Sequence, residues 1–284
     1  MLTIFTTPKD FTGEFNIIQN NALNSWRALS QEIEIILMGD SLGASEAAQS
    51  IHAKYIKDIE QSSKGTPTIA GLFQTAQEVA QNNILCYVNA DIILPESVIN
   101  VIHALQHVKG KFMAVGHRWD LDVNETINFE NSLECRKFWS YARDKSKKHG
   151  CTGIDYFVYK RGMYRDLPKL AIGRWGYDNW LVWKARRSLI PVIDGSNAIL
   201  AVHQNHPCSA MSQRSGEEYR SNNNIIKGEW LNILDATYRI EDEKILKRTD
   251  YEYKIRNLHR LPSIFPEFAI PIKIIRRAYK MIIN

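Results

Sequence analysis

The chain has 284 residues, of which 44% are hydrophobic and 24% charged, and this balance is ordinary for a soluble globular enzyme with a sizeable core. No stretch approaches the roughly 18 consecutive apolar residues of a spanning helix, and the first residues lack the basic segment of a secretion signal. The net charge of +5 lies within residues 251–284, which hold seven Lys or Arg and two Glu. Because the first 250 residues are therefore neutral overall, the sequence disfavours a nucleic-acid binder with a basic folded face.

The first 90 residues alternate between apolar, β-branched runs and segments of helical periodicity. This pattern predicts strands at 2–7, 32–38 and 84–88, and helices at 15–29 and 70–81. Strand and helix in alternation indicate an α/β protein with a mostly parallel sheet and helices on both faces.

Polar residues follow each of these predicted strands. Ligands of parallel sheets bind at the carboxyl ends of strands. We therefore expect Thr6, Thr7, Pro8, Asp40 and the segment Asn89–Asp91 to converge on one cleft, although they are far apart in sequence.

The second half of the chain has a looser pattern. Strands are predicted at 111–115, 154–159 and 198–202, and a helix at 177–187. The polar stretch 212–224 is predicted to be a mobile loop.

The cysteines are widely spaced. They are Cys86, Cys135, Cys151 and Cys208, and none forms a Cys-x-x-Cys pair. This spacing argues against a cysteine zinc site and is typical of reduced thiols, so we expect a cytoplasmic protein.

The opening strand and helix, followed by the segment Ile35–Ser41, resemble the start of GT-A glycosyltransferases of the large inverting family. That resemblance implies the GT-A fold and a nucleotide diphosphate sugar as donor. It makes Thr6, Thr7, Pro8 and Asp40 donor-binding candidates, with a plain turn residue as the alternative for Asp40.

The segment Leu85–Glu96, read Leu-Cys-Tyr-Val-Asn-Ala-Asp-Ile-Ile-Leu-Pro-Glu, resembles the DxD element of the same enzymes. There a carboxylate holds a divalent cation, Mn²⁺ or Mg²⁺, against the diphosphate of the donor. Asn89 stands where the first Asp is expected, which lowers the charge of the site and puts more weight on Asp91. The alternative is an ordinary Asp in a strand-to-helix turn.

The segment Gly173–Trp183 resembles the Trp-Gly-x-Glu-Asp element on the acceptor side of inverting GT-A enzymes. By that resemblance Asp178 is the general base, and Trp175, Tyr177 and Trp180 are acceptor-binding candidates. The alternative for Asp178 is a helix N-cap. Asn179 follows, so only one carboxylate is available at this point.

Three further residues are donor-binding candidates. Asp155 lies within the predicted strand 154–159 and could accept hydrogen bonds from sugar hydroxyls, with a structural Asp as the alternative. Arg118 and Arg174 are candidates for a phosphate or an acceptor contact, with ordinary solvated surface arginines as the alternative.

Two histidines follow the predicted strand 198–202. Many metal-dependent GT-A enzymes use a late His to complete the cation site, which makes His203 and His206 candidate metal ligands beside Asp91. The alternative is a pair of hydrogen-bonded structural histidines.

The tail after Leu261 contains three prolines and then a segment with an apolar and a basic face. Ile274, Ile275 and Ala278 share the apolar face, and Lys273 and Arg276 lie opposite. This pattern is typical of a helix on an anionic membrane surface, and packing onto the protein's own surface is the alternative.

The organisation that we predict is one GT-A domain over residues 1–250 and a basic extension over 251–284. A nucleotide-sugar half covers about 1–110 and an acceptor half about 111–210. The predicted activity is metal-dependent sugar transfer to a hydroxyl of a glycan or lipid-linked saccharide. A nucleotidyltransferase, which would need a Gly-rich phosphate loop that residues 6–11 lack, and a non-catalytic carbohydrate-binding protein remain the alternatives.

Overall fold

A computed structural model describes residues 1–207 and 215–268. The strands in this part of the chain are β1 (Leu2–Thr6), β2 (Glu34–Met38), β3 (Lys54–Ile56), β4 (Ile84–Val88), β5 (Ile92–Ile93), β6 (Met113–Val115), β7 (Arg118–Leu121), β8 (Lys147–Lys148), β9 (Tyr156–Lys160), β10 (Val192–Asp194), β11 (Ala201–Gln204), β12 (Tyr238–Glu241) and β13 (Lys244–Lys247). The helices are α1 (Gly13–Leu29), α2 (Ala44–Ser50), α3 (Ile69–Val79), α4 (Ser97–Gln106), α5 (Ser132–Lys145), α6 (Tyr177–Arg187), α7 (Gly216–Ile226) and α8 (Tyr251–Ile264).

The larger sheet has the strand order β13-β12-β10-β6-β9-β4-β1-β2-β3. Most of its neighbouring pairs are parallel, but β9 runs antiparallel to both β4 and β6. The start of β9 therefore lies beside the carboxyl end of β4. The backbone carbonyl of Asp155, the residue before β9, accepts a hydrogen bond from the backbone N–H of Asn89 at 2.9 Å. The predicted fold class, α/β with a mostly parallel sheet, is confirmed.

Side chains of the central strands alternate between two apolar layers. Phe5 and Tyr87 pack with α3 and α6 on one face, whereas Ile4 and Cys86 pack with α1 and α4 on the other. Helices thus cover both faces, as predicted. Because both faces of the strands are buried, the strands read as continuous apolar runs in the sequence. Burial of each such large side chain stabilises the fold by roughly 1.5–3 kcal/mol.

A smaller sheet has the strand order β5-β11-β7-β8 and carries Asp120 and His203. β11 pairs in parallel with β7, which sets His203 opposite Asp120, and antiparallel with β5, which sets His203 opposite Ile92. The fully buried Trp26 of α1 donates its indole N–H to the carbonyl of Ile92 at 2.9 Å. This contact anchors the short strand that directly follows Asp91.

The structure departs furthest from the predicted elements at the loop 212–224 and the strand 198–202. The predicted loop 212–224 contains helix α7 from Gly216 onward, which buries polar side chains: Asn222 donates to the carbonyl of Ala171 at 3.0 Å and accepts from its N–H at 2.9 Å. Hydrophobic periodicity cannot reveal such a helix. The predicted strand 198–202 begins at Ala201 and ends at Gln204, so His203 lies within it.

The extension begins with α8, which packs on the domain. Trp183 donates its indole N–H to the carbonyl of Ser263 at 2.9 Å, and Ile264 is fully buried. Arg256 pairs with the buried Asp235 at 2.7 Å. The predicted tail helix after Pro271 lies outside the described residues. Among the described helices, none has the length and hydropathy that crossing a bilayer requires.

Candidate active site

A cavity of about 950 Å³ lies at the carboxyl edge of the larger sheet. Thr7 and Pro8 after β1, Asp40 after β2, and Asn89 and Asp91 after β4 all line it. The convergence predicted from the sequence is therefore confirmed for these five residues. The cavity is large enough for a drug-sized ligand.

Thr6 and Asp40 differ sharply in exposure. The Thr6 side chain is fully buried within β1, so the structure places it in the sheet and argues against a direct donor contact. Asp40 is exposed at the rim, and its Oδ1 lies 3.3 Å from Nζ of Lys57. This exposed ion pair leaves the carboxylate accessible from the cavity.

Asp91, His203 and His206 form a cluster whose ligand atoms all lie within 4.8 Å of one another. Oδ2 of Asp91 is 3.6 Å from Nε2 of His203 and 3.3 Å from Nε2 of His206. Two sheets contribute to the cluster, because Asp91 follows β4 and His203 belongs to β11. His206 lies just beyond the end of β11, where its ring packs on Phe15 at 5.0 Å.

The chemistry of this cluster fits a divalent cation. Oδ1 of Asp91 is buried and has no hydrogen-bond partner among the described residues, so an acceptor oxygen is left over. Burial raises the pKa of Asp91, but the charges of His203, His206 and Arg118 outweigh burial and hold the pKa well below its usual range. The carboxylate is therefore ionised, as a ligand must be.

Asp120 is a site residue that the sequence reasoning missed. Its Oδ1 lies 3.3 Å from Nδ1 of His203 and 3.0 Å from Nε of Arg118, and its Oδ2 accepts a hydrogen bond from Nδ1 of His149 at 2.6 Å. Both Asp120 and His149 line the cavity. Alternation along β7 puts Asp120 on the same face as Arg118, and this is the signal that could have found it.

Asn89, Asp155 and Arg118 form a second network beside the cluster. Asn89 donates its side-chain N–H to Oδ1 of Asp155 at 2.6 Å, and Arg118 donates to Oδ2 of Asp155 at 3.1 Å. Oδ1 of Asn89 accepts from the hydroxyls of Tyr87 and Tyr177 at 2.9 and 3.3 Å. All three predicted donor-binding residues line the cavity, but Arg118 already pairs with carboxylates, so a donor phosphate would compete for it.

Asp178 lies in the first turn of α6, where it lines the cavity. The N-cap of α6 is Gly176, at φ +97°, so the alternative of an Asp178 N-cap is wrong. Only glycine adopts that left-handed conformation without strain, and a Cβ there would also meet Ile226 at 2.9 Å. Burial raises the pKa of Asp178 to about 7, against the lowering effect of the backbone N–H groups at the helix start.

The three predicted acceptor residues separate into two groups. Trp175 and Tyr177 line the cavity, whereas Trp180 lies in the core with its ring 6.0 Å from that of Trp183. This placement argues against an acceptor contact for Trp180, because the helix turns that side chain inward. Arg174 lines the cavity and pairs with the buried Glu218 of α7 at 2.7 Å.

The sheet, its reversed strand β9 and the cavity at its carboxyl edge belong to the GT-A fold. No known family and no curated protein matches the sequence. Among solved structures, S. aureus TarS 1–349 in complex with UDP-GlcNAc is similar at a TM-score of 0.54 and 11% identity, over 94% of this chain and 73% of that chain. A mycobacterial protein is similar at 0.50 and 13%, over 81% and 74%. Glucosyl-3-phosphoglycerate synthase from Mycobacterium tuberculosis, with Mn²⁺, UDP-glucose and phosphoglyceric acid, is similar at 0.49 and 11%, over 81% and 79%.

Proposed function

We propose that this protein is a metal-dependent glycosyltransferase that moves a sugar from a nucleotide diphosphate sugar to a hydroxyl of a glycan or lipid-linked saccharide. The observation that carries the proposal is that one cavity holds both a cation-binding cluster, Asp91 with His203 and His206, and a carboxyl group of raised pKa, Asp178. The UDP-GlcNAc bound to TarS, which has the same fold, supports a nucleotide-sugar donor.

Asp91, His203 and His206 would hold the cation, Mn²⁺ or Mg²⁺, which neutralises the charge of the donor diphosphate and of the departing nucleotide. Two imidazoles and one carboxylate favour Mn²⁺ over Mg²⁺, because Mg²⁺ is a harder cation that prefers oxygen ligands. Thr7, Pro8 and Asp40 line the other end of the donor half and are proposed to hold the nucleoside.

Asp178 would act as the general base. The acceptor hydroxyl gives its proton to Asp178 as its oxygen attacks the anomeric carbon, and the bond from that carbon to the diphosphate oxygen breaks. Attack from the face opposite the leaving group inverts the anomeric centre. A pKa of about 7 suits this role, since the group is ionised in an appreciable fraction and still accepts a proton readily near neutral pH.

Trp175 and Tyr177 stand beside Asp178 and are proposed to contact the acceptor. Trp175 is partly exposed, and its ring packs at 6.2 Å from that of Trp230. Aromatic faces of this kind bind apolar faces of sugar rings. This arrangement supports a saccharide acceptor.

A donor screen tests the proposal. The purified protein with Mn²⁺ is offered a panel of nucleotide sugars, and release of nucleoside diphosphate is recorded for the wild type, for Asp91→Asn and for the control Asp144→Asn. Asp144 is exposed and pairs with Lys145 at 2.9 Å, and it is not among the residues that line the cavity, so its variant changes charge away from the site. We expect release from one donor by the wild type and the control, and its loss in Asp91→Asn.

Other outcomes of the screen would identify the alternatives. Binding of saccharides without turnover of any donor would indicate a non-catalytic carbohydrate-binding protein. Release of pyrophosphate from a nucleoside triphosphate and a sugar phosphate would indicate a nucleotidyltransferase. Either result overturns the proposed function.

We further propose that residues 251–284 attach this cytoplasmic protein to an anionic membrane surface. α8 exposes Tyr251, Ile255 and Leu258, by 77%, 40% and 56%, on one helical face, and the whole extension carries the net positive charge. Flotation with anionic vesicles tests this proposal. The full chain should float, and a chain that ends at Phe268, which keeps α8 but loses four of the seven Lys and Arg of the extension, should float less. Equal flotation of both chains, or of the full chain with neutral vesicles, contradicts an electrostatic role of the tail.

A further inference from the structure

Asp120 contacts the proposed metal ligand His203 on the side of the ring that faces away from Asp91. His203 presents its two ring nitrogens in different directions: Nε2 lies 3.6 Å from Oδ2 of Asp91, and Nδ1 lies 3.3 Å from Oδ1 of Asp120. The His203 side chain is 10% exposed, so water does not readily replace either neighbour. A carboxylate behind a histidine in this way selects the tautomer that carries the proton on Nδ1 and leaves the Nε2 lone pair for a cation.

Asp120 is itself held in place on two sides. Arg118 Nε lies 3.0 Å from Oδ1, and His149 Nδ1 donates to Oδ2 at 2.6 Å. The backbone supports the same arrangement, because β11 pairs with β7 in a register that sets His203 opposite Asp120, and β8 pairs Lys147 with Asp120 on the other side. Rotation of the carboxylate away from His203 would also break its contacts with Arg118 and His149.

We propose that Asp120 is a positioning residue for the metal centre, which acts through His203 by fixing its tautomer and the orientation of its ring. This inference rests on the metal centre of the proposed function and deepens it. It assigns a role to a carboxylate whose Oδ2 accepts from His149 and whose Oδ1 lies within 3.3 Å of both Arg118 Nε and His203 Nδ1. Asp122, two residues further along the chain, is exposed and instead accepts from the side chain of Asn205 at 2.8 Å.

The experiment measures Mn²⁺ affinity by electron paramagnetic resonance, with no sugar donor present. Asp120→Asn should weaken Mn²⁺ binding about 10–100-fold, which is the usual cost of losing such a partner. The amide lacks the negative charge that favours a proton on Nδ1 of His203, so the tautomer that leaves the Nε2 lone pair for a cation loses its main stabilisation. Asp122→Asn, the matched control, removes the same charge nearby and should leave the affinity within about two-fold.

A double-mutant cycle separates positioning from a general effect of charge. In a His203→Ala background the Asp120→Asn change should cost little further affinity, because the ligand that Asp120 positions is already gone. The nitrogen couplings of bound Mn²⁺ provide a direct signature. The wild type should show two imidazoles, and both Asp120→Asn and His203→Ala should show one.

Several results would overturn the proposal. Wild-type affinity and two coupled imidazoles in a folded Asp120→Asn variant would show that the carboxylate does not position His203. An equal loss in both backgrounds would show that Asp120 acts only through its charge. A wild type that binds no Mn²⁺, even with UDP present, would remove the metal centre itself. Failure of the donor screen with these Mn²⁺ results intact would instead overturn the glycosyltransferase and leave the role of Asp120 standing.

Discussion

Replacement of Asp178 by Asn removes the proposed base and preserves the size of the side chain in the first turn of α6. A positioned general base contributes about 10²–10⁴-fold in rate, so turnover should fall by at least about 10²-fold. Donor affinity should stay within a few-fold, because the donor half of the cavity and the metal cluster are unchanged. Steady-state kinetics with the donor found in the screen measures both quantities, with Asp144→Asn as the control.

The same substitution should make the protein more stable at neutral pH. Asp178 has a pKa of about 7 in the folded protein, against an ordinary value of 3.8 that it keeps in the unfolded chain. The protonated form of Asp178 stabilises the folded protein fully at a pH below the unfolded pKa. This stabilisation is lost as the pH rises through the folded pKa, so the free energy of unfolding falls between about pH 4 and pH 7. The difference between the folded and unfolded pKa values of Asp178 corresponds to a loss of at most about 4 kcal/mol in the free energy of unfolding, at 1.36 kcal/mol per pKa unit. Water in the cavity makes this loss smaller. Asn does not titrate and escapes this loss.

Urea unfolding of wild type and Asp178→Asn at pH 4 and pH 8 measures the effect. The variant should gain in free energy of unfolding relative to the wild type as the pH rises. In the wild-type enzyme, the rate should increase through an apparent pKa near 7. A folded variant with near-normal turnover would refute the assignment of Asp178 as base, and a pH-independent difference in unfolding free energy would refute the raised pKa.

Two further substitutions test the donor side of the cavity. Asp91→Asn should abolish the Mn²⁺ dependence of nucleoside diphosphate binding in calorimetry, and equal wild-type affinity with Mn²⁺ and in EDTA would contradict the metal centre. Asn89→Asp should lower the free energy of unfolding at pH 7 by about 1–3 kcal/mol, because it replaces the hydrogen bond to Asp155 by the repulsion of two carboxylates. Urea unfolding should show this cost shrinking at acidic pH, and a cost that is the same at both pH values would count against repulsion as its cause.

Much of the fold could be predicted because its strands are buried on both faces. Continuous apolar runs such as Ile84–Val88 have few other interpretations in an alternating pattern, and the sheet edge where they end follows from topology alone. Elements with few buried apolar side chains escaped notice. α5 buries only Phe138 and Ala142 among its 14 residues and begins with an Asn131 cap, so it presents a weak periodic signal.

In the candidate site, only the residues that belong to a recognisable sequence motif could be predicted. The motif carboxylates Asp91 and Asp178 and the two histidines were assigned from their sequence context, and the structure brings all four to one cavity. Asp120 belongs to no motif. Asp120 lies beside His203 because β7 pairs with β11. The register between two strands some 80 residues apart cannot be deduced from the sequence of either strand by itself.

The departure from the DxD pattern at Asn89 has a physical reason in this network. Asn89 must donate a hydrogen bond to Asp155 and accept hydrogen bonds from Tyr87 and Tyr177 at the same time. An amide does both, whereas an ionised carboxylate only accepts, and a second acid beside Asp155 would be repelled. Arg118 and the Asn89 amide both donate hydrogen bonds to the side chain of Asp155. The neutral Asn89 therefore connects the strand that leads to Asp91 with the helix that carries Asp178, through Tyr177. In the proposed metal centre, His206 supplies a neutral ligand in addition to Asp91 and His203.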